Sequence, residues 1–365
     1  MSYCPVCNYD EFIPVYVGQA PVACTDLPET AVEAVLKEMY PLDIVMCRDC
    51  CHVFNRAMQE VDYEGFPMYN GGWSKHVELM ARMLSSVASC ERVVDIGGGD
   101  CGFLELLSKY TDGQYSCIDP NGKSDRFTVY TDYSRELLKD LSPDTVILRH
   151  TLEHFLSPRD VLRGIVSSVP PGTKFFIEVP NVEKTLDRKW FCDYMPEHPQ
   201  NFTRNSLTQL MALCQLDVNL VAVENEGTVL CVLATKPEEQ IPSRVLDCPT
   251  VEPLKFNFKQ VFEEVDTLLG DESIIVWGAA GKGATFLNTF GVKRQQVYDS
   301  DERKVGKYVP GTGQRILGIE DVPEDCTKVF VTCPWRAHDI WKELTKKLQH
   351  SLTVYTYSND KVGKV

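Results

Sequence analysis

No apolar run in these 365 residues reaches the length needed to span a bilayer, and the opening MSYCPVCNYD lacks a basic segment followed by an apolar one. These absences predict a cytoplasmic protein with no membrane partner. Basic charge is also scarce, with 37 Lys and Arg against 52 Asp and Glu and a net charge of -15. A general nucleic-acid binder needs clustered cations to displace counterions from phosphates, so nucleic acid is not an expected partner. Cysteine, by contrast, is plentiful at 15 residues. In a chain of this length without a secretory leader these read as reduced thiols rather than a disulfide framework. Cys90, Cys117, Cys192, Cys214, Cys231, Cys326 and Cys333 lie singly in apolar or mixed surroundings and are expected to fill core. Length and a hydrophobic content of 44% allow two or three domains with real cores. Nothing in the sequence fixes an oligomeric state.

Two cysteine pairs stand apart from the rest. Cys4 and Cys7 form one C-x-x-C knuckle and Cys47 and Cys50 another, on either side of a long insert. Four thiolates satisfy a tetrahedral Zn2+ with no open position, which predicts a small structural zinc domain over residues 1–60. Cys24 and Cys51 are spare candidates, and residues 31–39 read as a short helix inside the insert.

The middle of the chain turns on RVVDIGGGDCGF, residues 92–103. Val93, Val94 and Ile96 suit a buried parallel strand, and Phe103, Leu104, Leu106 and Leu107 resume with helical spacing. The glycines between them form a strand-to-helix turn where a ligand can approach bare backbone, and Asp119 closes the next strand where a ribose-binding acid is expected. GGGDCG is not the spaced GxGxxG of a dinucleotide site. With Asp95 ahead of Gly97, Gly99 and a displaced Gly102, it resembles the D-x-G-x-G-x-G of class I S-adenosylmethionine methyltransferases, Cys101 taking the third glycine position. His150, Leu152, Glu153 and His154 likewise match that family's H-x-L-E-H. The resemblance implies a central doubly wound, Rossmann-like α/β domain over residues 61–240 that binds S-adenosyl-L-methionine. Asp95, Gly97, Gly99 and Asp119 would hold the cofactor. His150 and Thr151 would line its methionine side, and Asp132 would reach the adenine unless the TDYS segment only caps a helix. An aromatic loop containing Tyr69 precedes this domain and meets substrate or merely packs, followed by an amphipathic helix from about Lys75.

After the strand FFIEVP, residues 175–180, a long connection carries Tyr194, Glu197 and His198 and leads to a helix near Leu207. Histidine is suited to proton transfer near neutral pH, although a lone Glu-His pair on a loop is weak evidence. A Pro-rich charged linker then precedes a last α/β domain, residues 256–365, with a second glycine turn in WGAAGKG. Taken together, the knuckles, Glu178-Val179-Pro180, Glu197-His198, Phe202-Thr203, Ser206-Leu207 and Gly278-Ala279 with Lys282, Gly283 and Asn288 resemble the C-methyltransferases of nucleotide-linked deoxysugars. That likeness spans essentially the whole chain. It implies that His198 removes a proton beside a ketone, with Glu197 orienting it and Tyr194 or Tyr69 donating to the enolate oxygen. Lys282, Gly283 and Asn288 would bind the small-molecule substrate, a nucleotide-linked keto-sugar. Departures fall on the loops: Met195 in place of a tyrosine, Glu226 to Leu230 in place of G-G-S-L-R, and Phe66 to Gly71 in place of a serine-rich motif. O- or N-methylation of another metabolite and a non-catalytic zinc scaffold are the competing readings.

Overall fold

The computed structural model describes residues 1–22, 27–61, 75–239, 258–358 and 361–365. Among them the strands form three sheets. The first begins with β1 (Phe12–Pro21), β2 (Met39–Cys47) and β3 (Val53–Asn55), antiparallel neighbours in that order. Its fourth strand comes from the long central connection: Gln200–Asn201 pairs with β3, Phe54 opposite Gln200. The N-terminal unit is therefore not closed on itself.

β2 has apolar partners on both faces. Leu42, Ile44 and Met46 join a core with Phe286, Phe330 and Tyr357 of the last domain, while Val45 and Cys47 join one with Leu207 and Met211 of the middle domain. This is the two-residue alternation of a strand, read by two different cores. The helix expected over residues 31–39 is confined to Ala31–Val35, opened by a reciprocal Thr30–Glu33 capping box. Met39 already belongs to β2, whose pairing with β1 satisfies the backbone that a longer helix would have used. The helix also touches the last domain, where its Ala34 carbonyl accepts from Gly311 N–H at 2.7 Å.

The second sheet contains β4 (Arg92–Ile96), β5 (Gln114–Ile118), β6 (Thr128–Tyr130), β7 (Thr145–Arg149) and β8 (Lys174–Pro180), all parallel, in the order 8-7-4-5-6. With Gln200–Asn201 as β9, an antiparallel hairpin of β10 (Asp217–Glu224) and β11 (Val229–Thr235) extends the β8 edge. The switch from β4–β5 to β4–β7 puts the carboxyl end of β4 at the crevice where α/β sheets bind ligands. This is the class I methyltransferase arrangement expected from the sequence. The third sheet is built from β12 (Ile275–Trp277), β13 (Val297–Tyr298), β14 (Ile316–Leu317), β15 (Lys328–Val331), β16 (Thr353–Ser358) and β17 (Lys361–Lys364), parallel except at β17. No helix among the described residues is long and apolar enough to cross a membrane.

The connection after β8 is more ordered than its sequence suggests. A helix at Val182–Arg188, capped by Asn181, and a turn of 3-10 helix at Phe191–Asp193 precede β9, and the next helix starts at Arg204 rather than Leu207. Thr203 and Ser206 bond reciprocally to each other's backbone N–H groups, which sets that earlier start. His52 fastens the connection to the first sheet, its Nε2 lying 2.8 Å from Gln200 Oε1 and its ring 4.8 Å from Phe202. Burial pushes His52 down to about 4, so it acts as a neutral hydrogen-bonding ring.

Because Ile44 is fully buried in the core shared with the last domain, Ile44→Ala should lower stability by about 2–5 kcal/mol, measurable by urea unfolding.

Candidate active site

A cavity of about 660 Å³ lies at the carboxyl end of β4. One wall is the glycine turn. Gly97 and Gly99 have φ of +76° and +54°, and a Cβ on Gly97 would come within 2.3 Å of Thr151 Oγ1. Only glycine fits there. Cys101 adopts φ of +62° without glycine's freedom and starts the helix Gly102–Leu107. Asp119 braces the turn, accepting from Gly99 N–H at 2.9 Å and from Asn121 N–H at 2.8 Å. Thr151 donates to the Ile96 or Arg149 carbonyl, 3.1 and 3.0 Å away, from behind the turn. Asp132 is exposed, and the cap of the following helix is Ser134.

Asp95 borders this cavity yet is 1% exposed, and its Oδ1 has no hydrogen-bond partner among the described residues. Burial pushes it up to about 7; Arg149 opposes the shift, while Asp119 and Glu178 add to it. A buried carboxylate with a spare oxygen on a cavity wall is a cation-binding group, and the cofactor's methionine end offers an ammonium. The bare backbone at Gly97 to Gly99 leaves room for the rest, so the residues present fit S-adenosylmethionine.

His150 also lines the cavity, and behind it lies a compact cluster. Its Nδ1 is 3.5 Å from the carboxylate of Glu153, a residue 1% exposed whose oxygens have no hydrogen-bond partner of good geometry among the described residues. Glu153, His154 and His198 bring their polar atoms within 4.8 Å of one another, and the two imidazoles meet edge to face at 4.8 Å. Burial pushes His198 down to about 3, with His154 adding to the shift and Glu153 resisting it. For Glu153, burial opposes ionisation, but His150, His154 and His198 outweigh it and hold the carboxyl below its ordinary value. The Glu197 backbone carbonyl lies 2.7 Å from His154 Nδ1, and the carboxylate grouped with both His154 and His198 is that of Glu153. Tyr194 is fully buried beside Tyr16, with ring centroids 5.9 Å apart, and is not on the cavity wall. Tyr69 lies outside the described residues.

The last domain closes the cavity from the other side. Lys282 Nζ sits 2.8 Å from Asp193 Oδ1 and 4.1 Å from the Trp335 ring centroid; Arg303 completes this wall, and Trp190 of the middle domain's connection also borders the cavity. Of the three residues expected to bind substrate, Lys282 alone borders the cavity. Gly283 packs backbone to backbone, since a Cβ there would meet Gly278 O at 2.2 Å, and Asn288 Nδ2 donates to Pro310 O at 2.8 Å to hold the domain's own loop. Arg149 and His76 border the cavity with Glu178 buried behind them, and sequence reasoning misses all three as site residues. The available signal was a glutamate inside the apolar strand FFIEVP.

Away from the cavity, Cys4, Cys7, Cys47 and Cys50 bring their sulfurs within 4.8 Å of one another, with Cys4–Cys50 at 3.6 Å and Cys7–Cys47 at 3.5 Å. A tetrahedron with Zn–S bonds of about 2.3 Å has edges of about 3.8 Å, so four thiolates at these positions suit zinc. Cys51 is disulfide-bonded, which corrects the expectation of reduced thiols throughout and removes it as a spare ligand. Cys24 lies outside the described residues.

Residues 45–220 match the family model described as a methyltransferase domain, and residues 251–354 match the C-methyltransferase C-terminal domain. The C-methyltransferase NovU of Streptomyces niveus is 22% identical over 377 residues, covering 91% of this chain and 89% of its own. Among solved structures, the PH0226 protein from Pyrococcus horikoshii OT3 aligns with a TM-score of 0.38 and 16% identity, over 47% of this chain and 96% of that one. The Haloferax volcanii complex of the Trm112 methyltransferase activator and a methyltransferase aligns at 0.37 and 15%, over 45% and 91%.

The raised Asp95 carboxyl has a consequence for stability. Between its unfolded value of 3.8 and about 7 the folded protein binds more protons than the unfolded chain, so this residue lowers stability as pH rises. Asp95→Asn should stabilise the ligand-free protein at pH 8 by on the order of 1–4 kcal/mol, a gain that shrinks towards pH 4. Thermal melting across that range measures it.

Proposed function

The chain is a class I S-adenosylmethionine-dependent methyltransferase of the C-methyltransferase kind, and from that premise we propose that it methylates a carbon beside the ketone of a nucleotide-linked deoxysugar. The observation that carries this reading is the shared cavity. Its middle-domain wall has the glycine turn, Asp95 and Trp190, while its last-domain wall offers Lys282 and Arg303 for phosphate and Trp335, with Trp190, for a flat ring. A ligand with a sugar, phosphates and a base would use both walls.

When bound, the cofactor supplies an electrophilic methyl group on a sulfonium. Asp95 would hold the cofactor's ammonium, and the bare backbone of Gly97 to Gly99 would leave room for the rest. His198 is the proposed base. It is neutral at working pH, as a proton acceptor must be, and takes the C–H proton next to the ketone. Glu153 supplies the countercharge for the imidazolium that forms, and Glu197 orients the neighbouring His154 through its carbonyl. The electron pair left on the substrate would be delocalised as an enolate, with Tyr69 as the proposed donor to its oxygen, leaving a carbon nucleophile for the methyl group that the cofactor would supply.

We also assign Zn2+ to the four thiolates of Cys4, Cys7, Cys47 and Cys50. Its task is structural: it fixes the end of β2, and β3 just beyond the second knuckle pairs with β9, two residues from His198. The metal therefore bears on the base only through the backbone.

Purified protein incubated with S-adenosylmethionine and nucleotide-linked 4-keto sugars in deuterated water should give a product one methyl group heavier, with deuterium exchanged at the adjacent carbon. Methylation without that exchange on every sugar tested, or at oxygen or nitrogen, would overturn the carbon route. His198→Asn should lower turnover by about 100-fold or more and leave cofactor affinity nearly unchanged. Removing zinc with a strong chelator should release one equivalent per chain and cost turnover while calorimetry still detects cofactor binding. Full activity of zinc-free protein would refute the positioning role.

A further inference from the structure

Polar side chains cross an otherwise apolar part of the second sheet. Arg149 on β7 pairs in register with Glu178 on β8, which pairs with Cys231 on β11, and Asp95 stands on the neighbouring strand β4. Glu178 is fully buried and accepts from His76 Nε2 at 2.7 Å, from Arg149 Nε and from Cys231 Sγ at 3.3 Å. Burial works against its ionisation, but His76 and Arg149 prevail and hold it down at about 2. Glu178 is thus an anion positioning two cavity-facing groups.

Those two groups have capacity left over. Arg149 commits Nε to Glu178 and lays its guanidinium 4.3 Å from the Phe103 ring centroid, while its terminal nitrogens make no hydrogen bond to a described residue. An ionised carboxylate only accepts, so His76 donates its Nε2–H to Glu178, and in the imidazolium form its Nδ1–H is a second donor that a ligand carboxylate would take. Both residues border the cavity together with Asp95, Gly97 and Phe103. Their charge complements that of Asp95, whose carboxylate has the unpartnered oxygen. An amino-acid zwitterion matches this arrangement, with its ammonium at Asp95 and its carboxylate at the guanidinium and imidazole.

We propose that Arg149 and His76, positioned by Glu178, bind the α-carboxylate of S-adenosylmethionine and make the enzyme select for an intact amino-acid end. This inference rests on the glycine turn being the cofactor site. The test is calorimetric binding of S-adenosylmethionine and of decarboxylated S-adenosylmethionine, which share the sulfonium and the ammonium, to the full chain. The wild type should bind the intact cofactor about 10-fold or more tightly than the decarboxylated one. In His76→Gln, and in the paired Arg149→Gln/Glu178→Gln variant that leaves no buried charge unmatched at this bridge, that ratio should fall towards one while affinity for the decarboxylated ligand holds.

The side-chain amide introduced by His76→Gln can still donate to Glu178, so the single variant carries the test even if the paired one fails to fold. Equal binding of the two ligands by the wild type would overturn the proposal, as would parallel losses for both ligands in His76→Gln. Failure of the wild type to bind either ligand would instead overturn the cofactor site, and this proposal with it.

Discussion

The double-sided burial of β2 is the constraint on which the site depends. A strand with apolar side chains on both faces needs two separate cores, and here one belongs to the middle domain and the other to the last. Burying Ile44 and Leu42 against one and Val45 against the other gains a favourable contribution of roughly 1.5–3 kcal/mol per large side chain. The N-terminal sheet is thereby a wedge that sets where the two Rossmann-like units meet. Their meeting place is the cavity, with the glycine turn on one side and Lys282 and Trp335 on the other.

The same wedge organises the connection that carries His198. β9 has no other sheet to join, and β3 supplies its hydrogen bonds while His52 bonds Gln200 from beneath. A loop of this length would otherwise lose much conformational entropy on ordering. Its cost is spread over the capping of two helices, the β3–β9 pairing and the burial of Phe191 and Phe202. The imidazole at its centre is held by a backbone that other domains fix.

Charge follows a matching logic. Asp95 and Glu178 are buried at the carboxyl ends of β4 and β8, so each carboxylate is governed by its neighbours. Glu178 has His76 and Arg149 against it and stays ionised, whereas Asp95 has a spare oxygen and more burial than compensation, and holds its proton to about 7. The contrast separates an anion that positions side chains from one that is available to a ligand. Glu153 resembles the first kind, its carboxyl held below the ordinary value by the histidines around it against the effect of burial.

Much of this was legible in the chain itself. Asp95, Gly97 and Gly99 are recognisable because a turn with positive φ and no room for Cβ leaves a glycine pattern after an acid, and the four cysteines because metal ligands repeat at fixed local spacing. The two α/β units follow from alternating strands and helices, whereas the antiparallel N-terminal sheet was not read from the sequence. What sequence does not encode locally is which distant side chains share a space. The grouping of Glu153 with His154 and His198, the sealing of Tyr194 in a core, the use of Asn288 to hold its own domain's loop, and the convergence of His76, Arg149 and Glu178 depend on strand register and on contacts between residues far apart in the chain. Local pattern determined the elements and the turn; only packing between domains decided which charges face one another across the cavity.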